Sequence, residues 1–355
     1  MKILVSALET SSNIHLKALQ KELDPNIEII GIFDKNLGNP NYDITQLAVM
    51  GFVDALKKLR FFLKLNNEMV DLAKDVDKIL LMDSSGFNLP LAKKIKKKYP
   101  QKEIIYYILP QAWAWKKKRI PKIEEYCDTL CSILPFEQDH YSKKDMIQYV
   151  GHPLLDEIEY LKDELSSNGT IAFMPGSRSG EITKLMPIYK EIAKQIDKKA
   201  ILIIPSHFTK EYIDKTYGDI SRFTISKNAH KTLQEVDFAF ICSGTATLEA
   251  ALIGTPFVLS YIAKPLDYFI AKNLVKLNFI GLANIFFKKM GKEPIHKEYI
   301  QEKVTVQNLL HEYNNINKEK FLQNSQILRD YLKYGSSKNV AKIINSNNES
   351  LNRIY

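Results

Sequence analysis

The sequence predicts an α/β protein made of two doubly wound, parallel-sheet domains in tandem. Three observations lead there. Short runs of almost unbroken apolar character alternate with helical patterns from the start of the chain, as strands buried on both faces do. The alternation restarts after a polar stretch at residues 161–168. The length, 355 residues, suits two domains.

In the first half, residues 2–8 read as a strand, 13–23 as a helix and 27–33 as a strand. Residues 52–73 follow as a long helix, 78–82 as a buried strand and 89–99 as a basic amphipathic helix. Strands 104–109 and 129–134 close the series. The second series runs strand 170–174, helix 181–196, strand 200–205, helix 209–217 and strand 223–225. Helix 229–236, strand 237–242, helix 245–253 and strand 256–260 complete it. From about residue 294 the chain is helical and rich in Asn and Lys. The expected domains are residues 1–165 and 166–330, with a helical tail at 331–355 packing back on the first. Tandem domains of this kind are expected to hold a ligand in a cleft at the carboxyl ends of their strands.

Composition excludes several classes. Hydrophobic residues at 45% and charged residues at 26% are ordinary for a folded domain. Three cysteines, Cys127, Cys131 and Cys242, give no disulfide framework and suggest a reducing compartment. Cys127 and Cys131 lack the neighbours of a zinc site and read as core thiols. The longest nearly uncharged runs, 104–115 and 250–263, are too short to span a bilayer, and both contain proline.

The net charge of +9 is uneven. Residues 52–122 hold 17 Lys/Arg against 7 Asp/Glu, an excess as large as that of the whole chain. This is either a solvated basic face or a surface that meets phosphates. No nucleic-acid motif accompanies it, so an anionic membrane surface is the expected partner and nucleic acid is not. Within this stretch Lys57, Lys58, Phe61 and Phe62 mix charge with apolar bulk, as an interfacial helix does. The alternative is an amphipathic core helix with a basic outer face.

Four local patterns carry chemistry. Met174-Pro175-Gly176-Ser177-Arg178-Ser179-Gly180-Glu181 lies between a strand and a helix. Glycine lets the backbone approach a ligand, helix-start amides attract an anion, and Arg178 can grip phosphate; an ordinary turn with a surface arginine is the alternative. Cys242-Ser243-Gly244-Thr245-Ala246-Thr247-Leu248-Glu249 repeats the arrangement, with Glu249 one turn beyond Thr245 to accept a ribose diol; a Ser/Thr helix cap followed by a surface glutamate is the alternative. Together they suggest a nucleotide-diphosphate donor. Asp83 ends an apolar strand in Met82-Asp83-Ser84-Ser85-Gly86-Phe87-Asn88, the place for a general base or for a turn-capping carboxylate. Glu9-Thr10-Ser11-Ser12-Asn13 follows the first strand and by itself reads as a helix cap. His152 stands at the expected hinge, as a buried structural residue or a cleft residue.

The ordered set of motifs resembles the lipid-A-disaccharide synthase family. It comprises Leu134-Pro135-Phe136-Glu137, Gly151-His152-Pro153-Leu154-Leu155-Asp156, Pro175-Gly176-Ser177-Arg178 with Glu181, and Ser243-Gly244-Thr245 with Leu248-Glu249. Ala48-Val49-Met50-Gly51, Trp113-Ala114-Trp115, Lys264-Pro265 and Asn284 belong to it too, and the match runs from residue 1 to about 310.

The resemblance implies the glycosyltransferase B fold, family 19. It implies transfer from UDP-2,3-diacylglucosamine to 2,3-diacylglucosamine 1-phosphate (lipid X), giving a β(1→6) disaccharide and UDP, with no metal or other cofactor. It places Asp83 as the base and keeps Glu9, in the first loop, as a second catalytic candidate. On the substrates it places Gly176, Ser177, Arg178, Ser243, Gly244, Thr245, Glu249 and Asn284, and on the acceptor side Ser11, Trp115 and Arg119. It implies a peripheral position on the cytoplasmic face of the inner membrane, and a homodimer through the C-terminal region.

Two departures stand out. Where the family stretch resembles Ile-Asp-Ala-Pro-Asp-Phe-Asn, the second acid is Gly86 here. The first loop, resembling Gly-Glu-Ala-Ser-Gly-Asp, reads Leu8-Glu9-Thr10-Ser11-Ser12-Asn13. Rival readings are another UDP-sugar glycosyltransferase with a membrane lipid acceptor, a UDP-sugar epimerase, and a non-catalytic lipid-binding protein.

Overall fold

A computed structural model describes residues 1–45, 55–115, 117–165, 168–263 and 279–346, without the side chains of 55–58, 114 and 115. The chain divides into two compact units, Met1–Glu157 with Leu332–Tyr355, and Ile158–Tyr331.

In the first unit the described strands are β1 (Lys2–Ala7), β2 (Glu28–Phe33), β3 (Tyr42–Asp43), β4 (Lys78–Met82), β5 (Glu103–Tyr107), β6 (Thr129–Ser132) and β7 (Ile147–Tyr149). They form one parallel sheet in the order β3-β2-β1-β4-β5-β6-β7. Side chains alternate between its faces, as the two-residue period of a strand requires. Leu4, Ile79, Leu81, Ile104 and Tyr106 pack with Leu65 and Met69 of helix Ala55–Leu72 and with Leu91 and Ile95 of helix Ser85–Lys98. Ile3, Val5, Leu80 and Met82 pack on the other face. Their partners are Leu16 and Leu19 of helix Thr10–Gln20 and Val340, Ala341 and Ile344 of helix Ser336–Asn345.

The second unit repeats the plan with β8 (Thr170–Met174), β9 (Lys199–Ile203), β10 (Thr224–Ser226), β11 (Phe238–Cys242), β12 (Phe257–Tyr261) and β13 (Glu298–Ile300). Its parallel order is β10-β9-β8-β11-β12-β13. The core gathers Phe173, Phe238, Phe240 and Tyr189, with Phe173 and Phe240 stacked at 5.1 Å between ring centroids.

Both sheets therefore reverse their winding once, between β1 and β4 in the first unit and between β8 and β11 in the second. In open α/β sheets ligands bind outside the carboxyl ends of the strands at this switch point. The reversal places residues 8–9 beside 83–84, and 175–178 beside 243–245.

The elements depart from the sequence reading at their edges. Strands β3, β7 and β13 have two or three residues, too few to show a period. The helix expected over 89–99 begins at Ser85. Ser84 is its N-cap, and Ser85 and Gly86 open its first turn.

Candidate active site

In the first unit the site is built on the β4 turn. Asp83 and Ser84 both lie in the left-handed region, at φ 47° and 38°. Neither is glycine, so the conformation costs energy and the surroundings must impose it. Asn88 donates its amide to the carbonyls of Met82 at 3.0 Å and Asp83 at 2.9 Å, and Ser6 donates to Asn88 Oδ1 at 2.6 Å. The Tyr106 phenol donates to the Asp83 carbonyl at 2.6 Å. The β1 turn is held in the same way: Asn13 donates to the carbonyls of Ala7 and Glu9 at 2.8 Å each.

The two turns meet. Ser84 Oγ donates to Glu9 Oε1 at 3.0 Å. Burial raises the Asp83 pKa above its ordinary value, and the Glu9 charge raises it further; the Ser84 amide and His15 oppose the shift. A carboxyl raised in this way is a better proton acceptor than a solvated aspartate. The Arg119 guanidinium donates to Ser85 Oγ, in the first turn of helix Ser85–Lys98. Ser11 is exposed in the first turn of helix Thr10–Gln20. The Trp115 side chain lies outside the described residues. An open groove of about 400 Å³ is lined by Leu8, Glu9, Phe62, Ser84, Gly86 and Phe87.

In the second unit, the turns after β8 and β11 enclose a pocket of about 360 Å³. Gly176, Ser177 and Arg178 line it from one turn, and Ser243, Gly244 and Thr245 from the other. Gly176 has φ 104°, and a Cβ there would come within 2.5 Å of Glu181 Oε2 and 3.2 Å of Cys242 Sγ, so only glycine fits. Glu181 caps the helix Ser179–Gln195, accepting from the Arg178 amide at 3.3 Å and the Arg178 guanidinium at 3.1 Å. The Arg178 side chain is 81% exposed, so it is tethered at one edge and open to an incoming anion. Burial pushes the Cys242 thiol up to about 12, leaving an uncharged floor.

Sequence reasoning missed part of this pocket. Ile203, Ile204, Pro205, Lys227 and Ala229 also line it. They come from the ends of β9 and β10, where no motif marks them. Strand order is the signal that could have found them, because β9 adjoins β8 and β10 adjoins β9. Glu249 lies outside the pocket lining, and its carboxylate is 3.6 Å from His230 Nε2.

Two expectations need correction. Asn284 was expected on a substrate, but it is fully buried. Its amide donates to the His296 carbonyl at 3.0 Å and to Glu298 Oε1 at 2.8 Å, and its oxygen accepts from Ile295 N at 3.0 Å. Asn284 is thus consumed in holding the chain after helix Leu282–Lys289. Phe61 and Phe62 were expected at a membrane, but both are half-buried against the core of the first unit. Phe62 meets Phe61 and Phe87 edge-on. The helix points Leu59 and Leu63 outward instead, at 57% and 51% exposure.

His152 is structural. Its backbone N–H meets the carbonyls of Leu332 and Lys333, each at 3.1 Å, and burial lowers its pKa to about 3. The motif 48–51, Lys264-Pro265 and the side chains of Lys57 and Lys58 lie outside the described residues. Among the described residues no group of three or more His, Cys, Asp or Glu is placed to hold a metal ion. No described helix is long and apolar enough to cross a membrane.

The chain was compared with known proteins on this basis. Residues 3–351 match the family model described as lipid-A-disaccharide synthetase. The lipid-A-disaccharide synthase of Helicobacter pylori strain G27 is 50% identical over 352 residues, covering 96% of each chain. That of Campylobacter jejuni strain RM1221 is 47% identical over 363 residues, covering 96% of this chain and 98% of the other. Among solved structures, the Staphylococcus aureus MnaA–UDP complex aligns with TM-score 0.63 at 15% identity, over 97% of this chain and 95% of that one. Acinetobacter baumannii MurG aligns with TM-score 0.59 at 14% identity, over 97% and 98%. At such identities the structural likeness establishes the fold alone, two parallel-sheet units of the glycosyltransferase B type. With half of its residues shared across nearly the full length of curated relatives, the chain belongs to the lipid-A-disaccharide synthase family, glycosyltransferases of lipid A biosynthesis.

Proposed function

We propose that this protein transfers the diacylglucosaminyl group of UDP-2,3-diacylglucosamine to the 6-hydroxyl of 2,3-diacylglucosamine 1-phosphate, forming the β(1→6) disaccharide and releasing UDP. The observation that carries the reading is the occupancy of both switch points by suitable chemistry. One holds a carboxyl pair, Asp83 and Glu9, and the other an anion-ready pocket with Arg178 at its edge.

The α-linked donor and β-linked product require a single inverting displacement. Asp83 accepts the acceptor hydroxyl proton as the new bond forms, and its raised pKa suits that role. Glu9, tied to Ser84, keeps negative charge beside it. The breaking bond leaves charge on the diphosphate of UDP. Arg178 and the helix-start amides after Gly176 and Gly244 stabilise that charge by preorganised electrostatics. Ser177, Ser243 and Thr245 supply hydroxyls to the same phosphates. Glu249, paired with His230, takes the ribose diol. Ser11, Trp115 and Arg119 serve the acceptor.

The basic stretch 52–122, with Leu59 and Leu63 exposed on its first helix, supports a peripheral seat on an anionic membrane at the cytoplasmic face of the inner membrane. Purified protein given the two diacylglucosamine substrates should release UDP and yield the tetraacyl disaccharide 1-phosphate by mass spectrometry. Absence of that product with intact donor and acceptor would overturn the assignment.

A further inference from the structure

We propose that the groove bounded by Leu8, Phe62, Gly86 and Phe87 seats one acyl chain of the acceptor lipid, and that Gly86 sets its depth. The inference rests on the glycosyltransferase reading and adds to it the place where the acceptor is measured. The groove, about 400 Å³, is divided chemically. Leu8, Phe62 and Phe87 give apolar walls, and Glu9 and Ser84 give a polar end joined by their hydrogen bond. The polar end adjoins Asp83, the next residue along the chain. An amphiphile whose hydroxyl reaches Asp83 has its head at this polar end and its hydrocarbon against the phenyl walls. Pockets of this size, mostly apolar with a few placed polar groups, suit small amphiphilic ligands.

The walls are preformed. Phe62 packs edge-on to Phe87 at 6.1 Å between centroids, and to Phe61 at 5.6 Å. Leu59, one turn before Phe62 on the same helix, is exposed and extends the apolar track to the surface.

Gly86 is the informative residue. Its φ lies outside the left-handed region, so the backbone does not demand glycine. A Cβ there would meet nothing within 4 Å, so packing does not demand it either. Glycine within a helix costs stability relative to other residues. What it supplies is room. A carboxylate here would put charge beside Glu9 and against the hydrocarbon.

The test uses Gly86→Leu, which fills the groove, and Gly86→Asp, which charges it. Leucine is a better helix residue than glycine, and the melting temperature of each variant verifies folding. Turnover is measured with two 2,3-diacylglucosamine 1-phosphate acceptors, one long-chain and one diacetyl. In both variants the long-chain to short-chain ratio of kcat/KM should fall about tenfold, the effect of denying about two methylenes their burial, while the KM for the UDP donor stays unchanged. An equal loss for both acceptors would mean that the groove takes the sugar, and an unchanged kcat/KM for both would mean that it takes nothing; either overturns the proposal.

A second measurement stands apart from catalysis. A long-chain 2,3-diacylglucosamine 1-phosphate carrying a terminal diazirine should label peptides containing Phe62 or Phe87 in the wild type and not in Gly86→Leu. Labelling without UDP release would refute the glycosyltransferase reading and keep the groove. UDP release without labelling there would refute the groove.

Discussion

The Tyr106 phenol, rising from the neighbouring strand β5, donates its hydrogen bond to the backbone carbonyl of Asp83 at 2.6 Å. It is one of two clamps on a turn that the Asp-Ser sequence would not adopt alone. Tyr106→Phe should leave the amide of Asn88 as the remaining clamp. We expect a stability loss of about 1 kcal/mol. Turnover should fall roughly tenfold, because two consecutive left-handed residues each cost about 1–3 kcal/mol and relax once less firmly held. Steady-state kinetics beside urea unfolding checks this; full turnover at reduced stability would show that the phenol serves packing only.

Asp83→Asn keeps the size of the side chain but cannot take a proton at neutral pH. Turnover should fall by roughly two to four orders of magnitude, with donor affinity nearly constant. Because burial and Glu9 raise the Asp83 pKa, the acid limb of the wild-type kcat/KM profile should lie above the ordinary aspartate value of about 3.9. A limb at that value would remove Asp83 from the role of base.

Arg178→Ala should cost roughly 10²–10³ in kcat, the usual effect of deleting one preorganised electrostatic donor. Its side chain is 81% exposed and touches Glu181 alone among the contacts described above, so the melting temperature should barely move. Wild-type turnover at saturating donor would contradict the assignment.

Glu137 offers a prediction about stability. Ser132 donates to its Oε2 at 2.7 Å, its Oε1 has no hydrogen-bond partner among the described residues, and burial pushes its pKa up from 4.5 to about 8. Between these values the unfolded chain has released this proton and the folded chain still holds it. Stability is therefore lost as pH rises from about 4.5 to 8. Glu137→Gln keeps an acceptor for Ser132 and removes the penalty. It should stabilise the protein by about 1–4 kcal/mol at pH 8 and hardly at all near pH 4.5, at about 1.4 kcal/mol per pH unit. Urea unfolding at both pH values measures it; equal differences at the two would refute it.

Much of the fold was legible because strands such as 78–82 and 170–174 are apolar throughout, and apolar runs bounded by turns announce themselves. The turns after β8 and β11 were legible for a related reason: glycine and hydroxyl residues mark where a strand hands over to a helix. What escaped depends on tertiary context. Pro205 and Lys227 reach the pocket only because strand order sets β9 beside β8 and β10 next beyond β9. Asn284 was placed on a substrate by the resemblance alone, and nothing local shows that His296 and Glu298 fold back to consume its amide. Phe61 and Phe62 looked exposed because three adjacent apolar residues on a helix must cover more than one face; the rotation that buries two and exposes Leu63 is set by Phe87 and the sheet below.

Helix Ser336–Asn345 covers the face of β1 and β4 with Val340, Ala341 and Ile344. The order of synthesis turns this packing into a constraint on biogenesis. The unit Ile158–Tyr331 is contiguous and leaves the ribosome with all its parts. The unit begun by Met1 waits for helix Ser336–Asn345 to be translated before its core can close. Until then Ile3, Val5 and Leu80 present an apolar sheet face covered only in part, by Leu16 and Leu19. A stop codon just after Tyr331 would leave every residue of the proposed chemistry in the chain and still deny the first unit its fold. Such a product should be degraded or aggregate rather than accumulate as a weak enzyme.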